Sequence, residues 1–209
     1  IATHALAPFS WALPPDGVFE RSAIRASGPA PAPRFGALRA VGDAYDVDTG
    51  ALPLRRPARV SLPLPAGADP RATGLYVVSG RALRVVATGA GPDGRVTGET
   101  RYTGRFALYE DRAAPLIGRR RALIENGAPV PYSRWALLAP LREVGSGLDL
   151  AHTYFEIDGA RVPSEYDVDM GLLRWRPRAR PAPGRHTYEV VATDRAGNVG
   201  HAIGAFVIR

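Results

Sequence analysis

The sequence predicts an all-β protein built as two antiparallel β-sandwiches in tandem. Three observations carry that reading. Between Gly145 and Asn198, turn-forming clusters alternate with short apolar segments at strand-like spacing. Pro and Gly are abundant, 20 and 23 residues, which favours many short strands over long helices. No segment longer than about ten residues carries clean helical periodicity.

The first unit is expected over residues 1–112. It opens with a strand region from Ala2 to Leu13, closed by the turn Pro14-Pro15-Asp16-Gly17. Val18 to Arg25 is a further strand candidate. Gly28-Pro29-Ala30-Pro31-Ala32-Pro33 is excluded as a central strand, because its prolines remove ladder donors; a loop or polyproline stretch is expected. Tyr45 to Gly50 reads as a turn. Val60 to Leu64 alternates with period two, and Pro63 places it at a sheet edge or a strand end. Leu75-Tyr76-Val77-Val78 and Leu83 to Ala87 flank a hairpin connection at Ser79-Gly80-Arg81. Gly91 to Gly94 turns into a strand over Arg95–Thr100, and Gly104 to Tyr109 closes the unit.

A Pro-containing joint between Asp111 and Pro115 marks the boundary, and the second unit is expected over 113–209. Its strands are predicted at Trp135–Leu138, Tyr154–Ile157, Leu172–Trp175, His186–Thr193 and Val199–Ile208. In the fourth, Tyr188, Val190 and Ala192 share one face and point to a core, with Thr187, Glu189 and Thr193 opposite. Asp194 to Asn198 is predicted to connect the last two strands as a hairpin, with Gly197 or Asn198 at positive φ.

Composition narrows the function classes. There is no cysteine, so disulfides and thiolate metal sites are excluded. No apolar run reaches the roughly 18 residues needed to cross a bilayer as a helix. Every basic residue is Arg, and the formal charge is +7. That charge favours association with anionic polymers or membrane surfaces. Arg119-Arg120-Arg121 is the densest basic cluster, but it carries no nucleic-acid motif and no interleaved aromatics, so nucleic acid is not expected as a partner. The chain begins at Ile1 with no visible signal peptide or lipobox. It is therefore expected to be a piece of a longer protein with further domains upstream.

Candidate chemistry was sought residue by residue. A zinc site needs three or four converging ligands; His4, His152, His186 and His201 show no ligand spacing, and no metal or cofactor is expected there. Asp46-x-Asp48-x-Gly50 and Asp167-x-Asp169-x-Gly171 depart from an EF-hand, with Gly at the fifth position and Pro57 or Arg178 at the twelfth. Both read as loops in which Asp bonds nearby amides. A looser calcium site between strands stays open, with Asp149, Asp158 or Asp194 contributing. No nucleophile elbow occurs, and Gly145-Ser146-Gly147 reads as a loop before a strand. Glu156, Asp158 and Glu165 are scattered over strands and turns, which gives no local support for a glycosidase pair. Trp11, Trp135 and Trp175 are candidates for core packing or for stacking on sugar rings, with the core favoured. Trp175 lies between Arg174 and Arg176, so outward arginines would send it inward.

Taken together, Ser146-Gly147-Leu148-Asp149, Asp158-Gly159, Pro183-Gly184-Arg185-His186-Thr187 and Thr193-Asp194-Arg195-Ala196-Gly197-Asn198 resemble, in that order, bacterial immunoglobulin-like modules of secreted and envelope proteins. The likeness covers roughly Pro115 to Arg209. The first unit is similar to the β-sandwich that often precedes such a module, on Tyr45-Asp46-Val47-Asp48, Leu54-Arg55-Arg56-Pro57-Ala58, Gly74-Leu75-Tyr76 and Gly104 to Leu108. Paired units of this kind look like the C-terminal tails of lysostaphin-type (LytM-like) zinc peptidases that cut cell-wall peptides. The resemblance implies an extracytoplasmic, non-catalytic accessory region. Such a region spaces or docks an upstream peptidase domain, with peptidoglycan or another anionic envelope polymer as partner. It transfers no catalytic residue, because the His-x-His element of those peptidases has no counterpart here. The alternative is a carbohydrate- or peptidoglycan-binding module of a surface protein.

Overall fold

The computed structural model describes residues 2–19, 23–50, 52–123 and 134–208. The protein is all-β, with antiparallel pairing in each of its four sheets and no α-helix among the described residues. The chain divides into two compact units, Ile1–Ala113 and Ala114–Arg209.

In the first unit one sheet holds β1 (Ala2–Leu6), β2 (Phe9–Leu13), β5 (Ala58–Pro63) and β8 (Arg95–Thr100), in the order β1-β2-β5-β8. The other holds β3 (Arg25–Pro31), β4 (Arg39–Asp48), β6 (Thr73–Ser79), β7 (Ala82–Thr88) and β9 (Gly104–Glu110), in the order β3-β4-β9-β6-β7. Alternation decides which side chains meet between them. Phe9, Trp11 and Leu13 of β2 and Val60 and Leu62 of β5 pack with Tyr45 and Val47 of β4, Leu75 and Val77 of β6, and Phe106 and Leu108 of β9. Phe9 stacks on Tyr45 at 5.0 Å and 4°. Burying each such side chain contributes roughly 1.5–3 kcal/mol. The five-stranded sheet also buries its far side. Tyr76 and Tyr109 meet edge to face at 5.5 Å, and the Tyr109 hydroxyl donates to the Pro33 carbonyl at 2.8 Å.

Two expectations for this unit are corrected. The Gly28–Pro33 region is not a loop: Arg25–Pro31 forms an edge strand, with a register shift between Ser27 and Ala30. An edge strand needs only one row of ladder bonds, and the irregularity absorbs the missing proline donor, so the expected exclusion from a central position holds while the loop does not. Tyr45 to Asp48 is not a turn but the end of the ten-residue β4. There Asp46 faces Arg105 across the β4–β9 ladder and takes two guanidinium bonds, at 3.0 and 2.8 Å. Only the following Gly50 turns, donating its N–H to Asp48 at 2.7 Å. The Val18–Arg25 candidate falls partly on residues 20–22, which lie outside the described residues; at its ends Val18 makes an isolated bridge to Leu54 and Arg25 starts β3. Pro63 ends β5 as expected.

In the second unit one sheet holds β10 (Leu116–Ile117), β12 (Ala136–Arg142), β16 (Leu172–Trp175) and β15 (Glu165–Asp167), with β11 (Arg121–Leu123) also pairing with β12. The facing sheet runs β14 (Ala160–Val162), β13 (Tyr154–Ile157), β17 (Gly184–Thr193), β18 (Val199–Ile208). That is the A-B-E-D and C′-C-F-G arrangement of an immunoglobulin-like sandwich, with the first strand split in two. Leu137, Ala139 and Leu141 of β12, Leu173 and Trp175 of β16, Phe155 of β13, Val190 and Ala192 of β17, and Phe206 and Ile208 of β18 form its core.

Candidate functional site

The site worth building is the segment that joins β16 to β17. Between Arg174 and Arg185 it places five arginines and three prolines in twelve residues, with arginine at every second position from 174 to 180. Arg174 still belongs to β16, where it pairs with Glu165 of the neighbouring strand at 3.0 Å. Trp175 points the other way and is buried in the core, stacked obliquely against Phe206 at 6.2 Å. Beyond it the strand stops, because Pro177, Pro181 and Pro183 supply no ladder N–H. Arg176, Arg178 and Arg185 are exposed.

Contacts from two sides help hold this loop in place. The Arg180 guanidinium lies over the Trp135 ring, 5.5 Å from its centroid. From the other side, His186 at the start of β17 reaches the Ala182 carbonyl through Nε2 at 2.9 Å. The other ring nitrogen, Nδ1, faces the Asp158 carboxylate at 2.7 Å, and the ring stacks on Phe206 at 5.2 Å. Both partners of the imidazole accept, so the arrangement favours the protonated ring, which alone can donate to both at once. Its pKa is accordingly raised, first by the bond to the Ala182 carbonyl and then by Asp158. Asp158 sits in the β13–β14 turn at φ 51°, a left-handed conformation that Asp tolerates. Its second oxygen accepts from the Thr187 N–H at 2.8 Å, and His186 and Thr187 together lower its pKa.

Between the loop and the β13–β14 hairpin lies a groove of about 420 Å³. Its floor is apolar, made by Ile157, Val162 and Pro163 and by Pro177 and Pro181 of the loop itself; Arg176 and Arg178 stand at its margin. The arrangement is chemically suited to hold an anionic group over an apolar surface, since a guanidinium fork matches carboxylate and phosphate. A second concavity of about 390 Å³ lies on the open face of the β13–β17–β18 sheet, where Glu156 and Glu189 are directly opposite in register.

The other sequence candidates fall as follows. The three histidines with described side chains do not converge; each faces its own carboxylate. His152 pairs with Asp149 at 2.7 Å, His186 with Asp158, and His201 with Glu189 at 2.7 Å. His4 lies on β1, opposite Trp11 in register. Asp149 caps the 3-10 turn Leu150–His152, accepting from Ala151 N–H, and its pKa is lowered chiefly by His152. Asp194 accepts from the Asn198 backbone and side-chain amides, both at 2.9 Å. Asp149, Asp158 and Asp194 thus serve three separate turns and do not come together as one cation site. Asp167 accepts from Met170 N–H in the β15–β16 turn, as its loop reading required, and Ser146 Oγ accepts from Ala196 N–H within buried loop packing. Trp11, Trp135 and Trp175 are all buried. Of the Arg119–Arg121 run, Arg120 donates to the Ile203 carbonyl at 3.1 Å. The basic segment that matters lies instead at 174–185, and its signal in the sequence was the period-two spacing of Arg174, Arg176, Arg178 and Arg180.

Fold and groove together define a class: a tandem β-sandwich protein whose second, immunoglobulin-like unit presents a cationic, proline-walled groove at one loop. Comparison with protein-family models and with curated proteins found no match for the chain.

Proposed function

We propose that this chain is a non-catalytic accessory region of an extracytoplasmic bacterial protein, docking or spacing a cell-wall peptidase domain against an anionic envelope polymer. The observation that supports it best is the arginine-lined groove on a loop whose C-terminal half is held by Arg180 on Trp135 and by His186 on the Ala182 carbonyl. A pre-ordered rim binds without a large ordering cost. The net charge of +7 adds long-range attraction to such a polymer. His186 has both ring nitrogens engaged, one with Asp158 and one with the Ala182 carbonyl, which fits a structural role.

The test is co-sedimentation with purified peptidoglycan sacculi, together with a turnover assay on the same material. Retention at moderate salt without turnover is the expected result. Release of cell-wall peptides or sugars by the purified chain would overturn the non-catalytic reading, and lack of retention even at low salt would remove the docking role.

The second reading, a carbohydrate- or peptidoglycan-binding module in its own right, is favoured by the same groove. It differs in requiring specificity for a sugar structure. Competition by soluble glycan fragments at fixed ionic strength separates the two.

A further inference from the structure

We propose that the groove between the 176–183 loop and the β13–β14 hairpin is a binding site for an anionic glycan, with Arg176 and Arg178 taking successive carboxylate or phosphate groups of the chain. The assignment rests on the envelope-docking reading and gives it a location and a ligand chemistry.

Four features select this occupant. Arg176 and Arg178 are exposed, stand two residues apart and border the same concavity. They are therefore placed to meet repeated charges along a polymer rather than a single ion. Among the described residues, the carboxylate on the groove's lining is Asp158, and it is already taken up by His186 and Thr187, so these residues leave the cationic rim un-neutralised. The volume of about 420 Å³ lies inside the usual range of small-ligand sites, roughly 300–1,000 Å³. Finally, the walls discriminate between polyanions. Pro177 and Pro181 offer no N–H, so an extended acidic peptide finds no donors from them for strand-like pairing. Among the described residues, the aromatic side chain on the lining besides His186 is Trp175, which is buried in the core and offers no open ring face on which a nucleic-acid base would stack. A charged sugar or polyol chain needs neither device. It needs guanidinium forks for its anions and small apolar surfaces for its ring or chain carbons, and the groove has both.

The experiment measures binding of the whole chain by fluorescence anisotropy at near-physiological salt. The probes are labelled oligogalacturonate, a glycan that carries carboxylates, and a labelled phosphomannan oligosaccharide, a glycan that carries phosphates. The variant is Arg176→Ser with Arg178→Ser. The control is Arg81→Ser with Arg101→Ser, two exposed arginines of the first unit that remove the same net charge. The expected result is at least a tenfold weakening for the groove variant, less than twofold for the control, and unchanged melting temperatures in both. Replacing the pair by lysine should recover only part of the affinity, because the charge returns without the planar fork. The probe bound more tightly identifies the anion. Equal loss in groove variant and control would show diffuse charge adhesion and overturn the proposal. So would the absence of binding to both probes. Polyglutamate or single-stranded DNA binding as tightly, with the same sensitivity to the groove variant, would overturn the glycan assignment. Sacculus retention separates the two levels: a groove variant retained as well as wild type sinks the groove alone, whereas a wild-type chain that is never retained sinks the docking role as well.

Discussion

At the scale of single residues, the structure turns several acidic positions into conformational and electrostatic devices. Gly197 is at φ 91° in the Asp194–Asn198 hairpin, with open space where a Cβ would stand. Gly197→Val should therefore cost roughly 1–2 kcal/mol through backbone strain alone. Chemical denaturation checks this, and the groove's affinity for its probe should not move; an unaltered stability would refute the strain argument. Glu110 is a second case. Its buried carboxylate accepts from Arg39, Arg112 and the Asp69 N–H, and these bonds lower its pKa to about 2. The folded value lies below the ordinary 4.5, so its stabilisation is present above that value and fades as pH falls toward 2. Glu110→Gln should lose on the order of 1–3 kcal/mol near neutral pH, as a charged acceptor is replaced by a weaker one. It should also flatten the acid limb of the stability curve. A variant with an acid limb as steep as wild type would assign that limb to other carboxylates.

At the scale of elements, the His186 clasp ties the loop before β17 to the turn after β13. The signs run in opposite directions for its two members. His186 has a raised folded pKa, so its contribution is full below the ordinary 6.5 and is lost as pH rises through the folded value. Asp158 has a lowered folded pKa, so its contribution is full above the ordinary 3.8 and is lost as pH falls through the folded value. The clasp is strongest between those limits. Wild type should melt at a higher temperature at about pH 6 than at about pH 9, and His186→Gln should shrink that difference. Equal differences in the two proteins would mean that the imidazolium is not the group responsible. The β17–β18 ladder offers another test. Tyr188 lies opposite Gly204, and its ring occupies the space a side chain there would need. Gly204→Val should push Tyr188 from its place beside Phe206 and cost roughly 1–3 kcal/mol. The double variant Gly204→Val with Tyr188→Ala should recover part of that loss, since the clash partner is gone. A Gly204→Val protein as stable as wild type would show that the ring moves aside freely.

At the scale of the whole molecule, charge is the dominant collective property. All 27 basic residues are arginine, set against 20 acidic ones, and the excess of seven is distributed over a β scaffold. Binding to an anionic polymer should then have a diffuse part that disappears as the Debye length shortens from roughly 10 Å at 0.1 M salt to 3 Å at 1 M. The part carried by the groove should persist further, because guanidinium forks over an apolar floor are screened less than isolated surface charges. A salt titration of sacculus retention measures both parts. A single steep loss, identical in wild type and in the Arg176→Ser, Arg178→Ser variant, would mean that only the diffuse part exists.

Much of the architecture was legible from local patterning. Tyr154–Ile157, Leu172–Trp175 and Val199–Ile208 are strands with the expected bounds, and Val190, Ala192 and Trp175 are buried as alternation required. Period-two alternation and turn chemistry are local properties, and they suffice wherever one face of a strand is buried. The errors share one physical origin. The edge strand Arg25–Pro31 and the β4 extension through Asp48 exist because neighbours supply ladder partners, and the sequence of a segment does not name its neighbours. The short β14 and β15 carry too few residues for alternation to register, and pairing with β13 and β16 defines them. The groove was hidden for the same reason. Its arginines were countable in the sequence, but residues from the 157–163 hairpin and the 176–182 loop meet only when the two sheets pack. The raised pKa of His186 follows from two oxygens brought to one ring by folding, Ala182 from four positions away and Asp158 from 28.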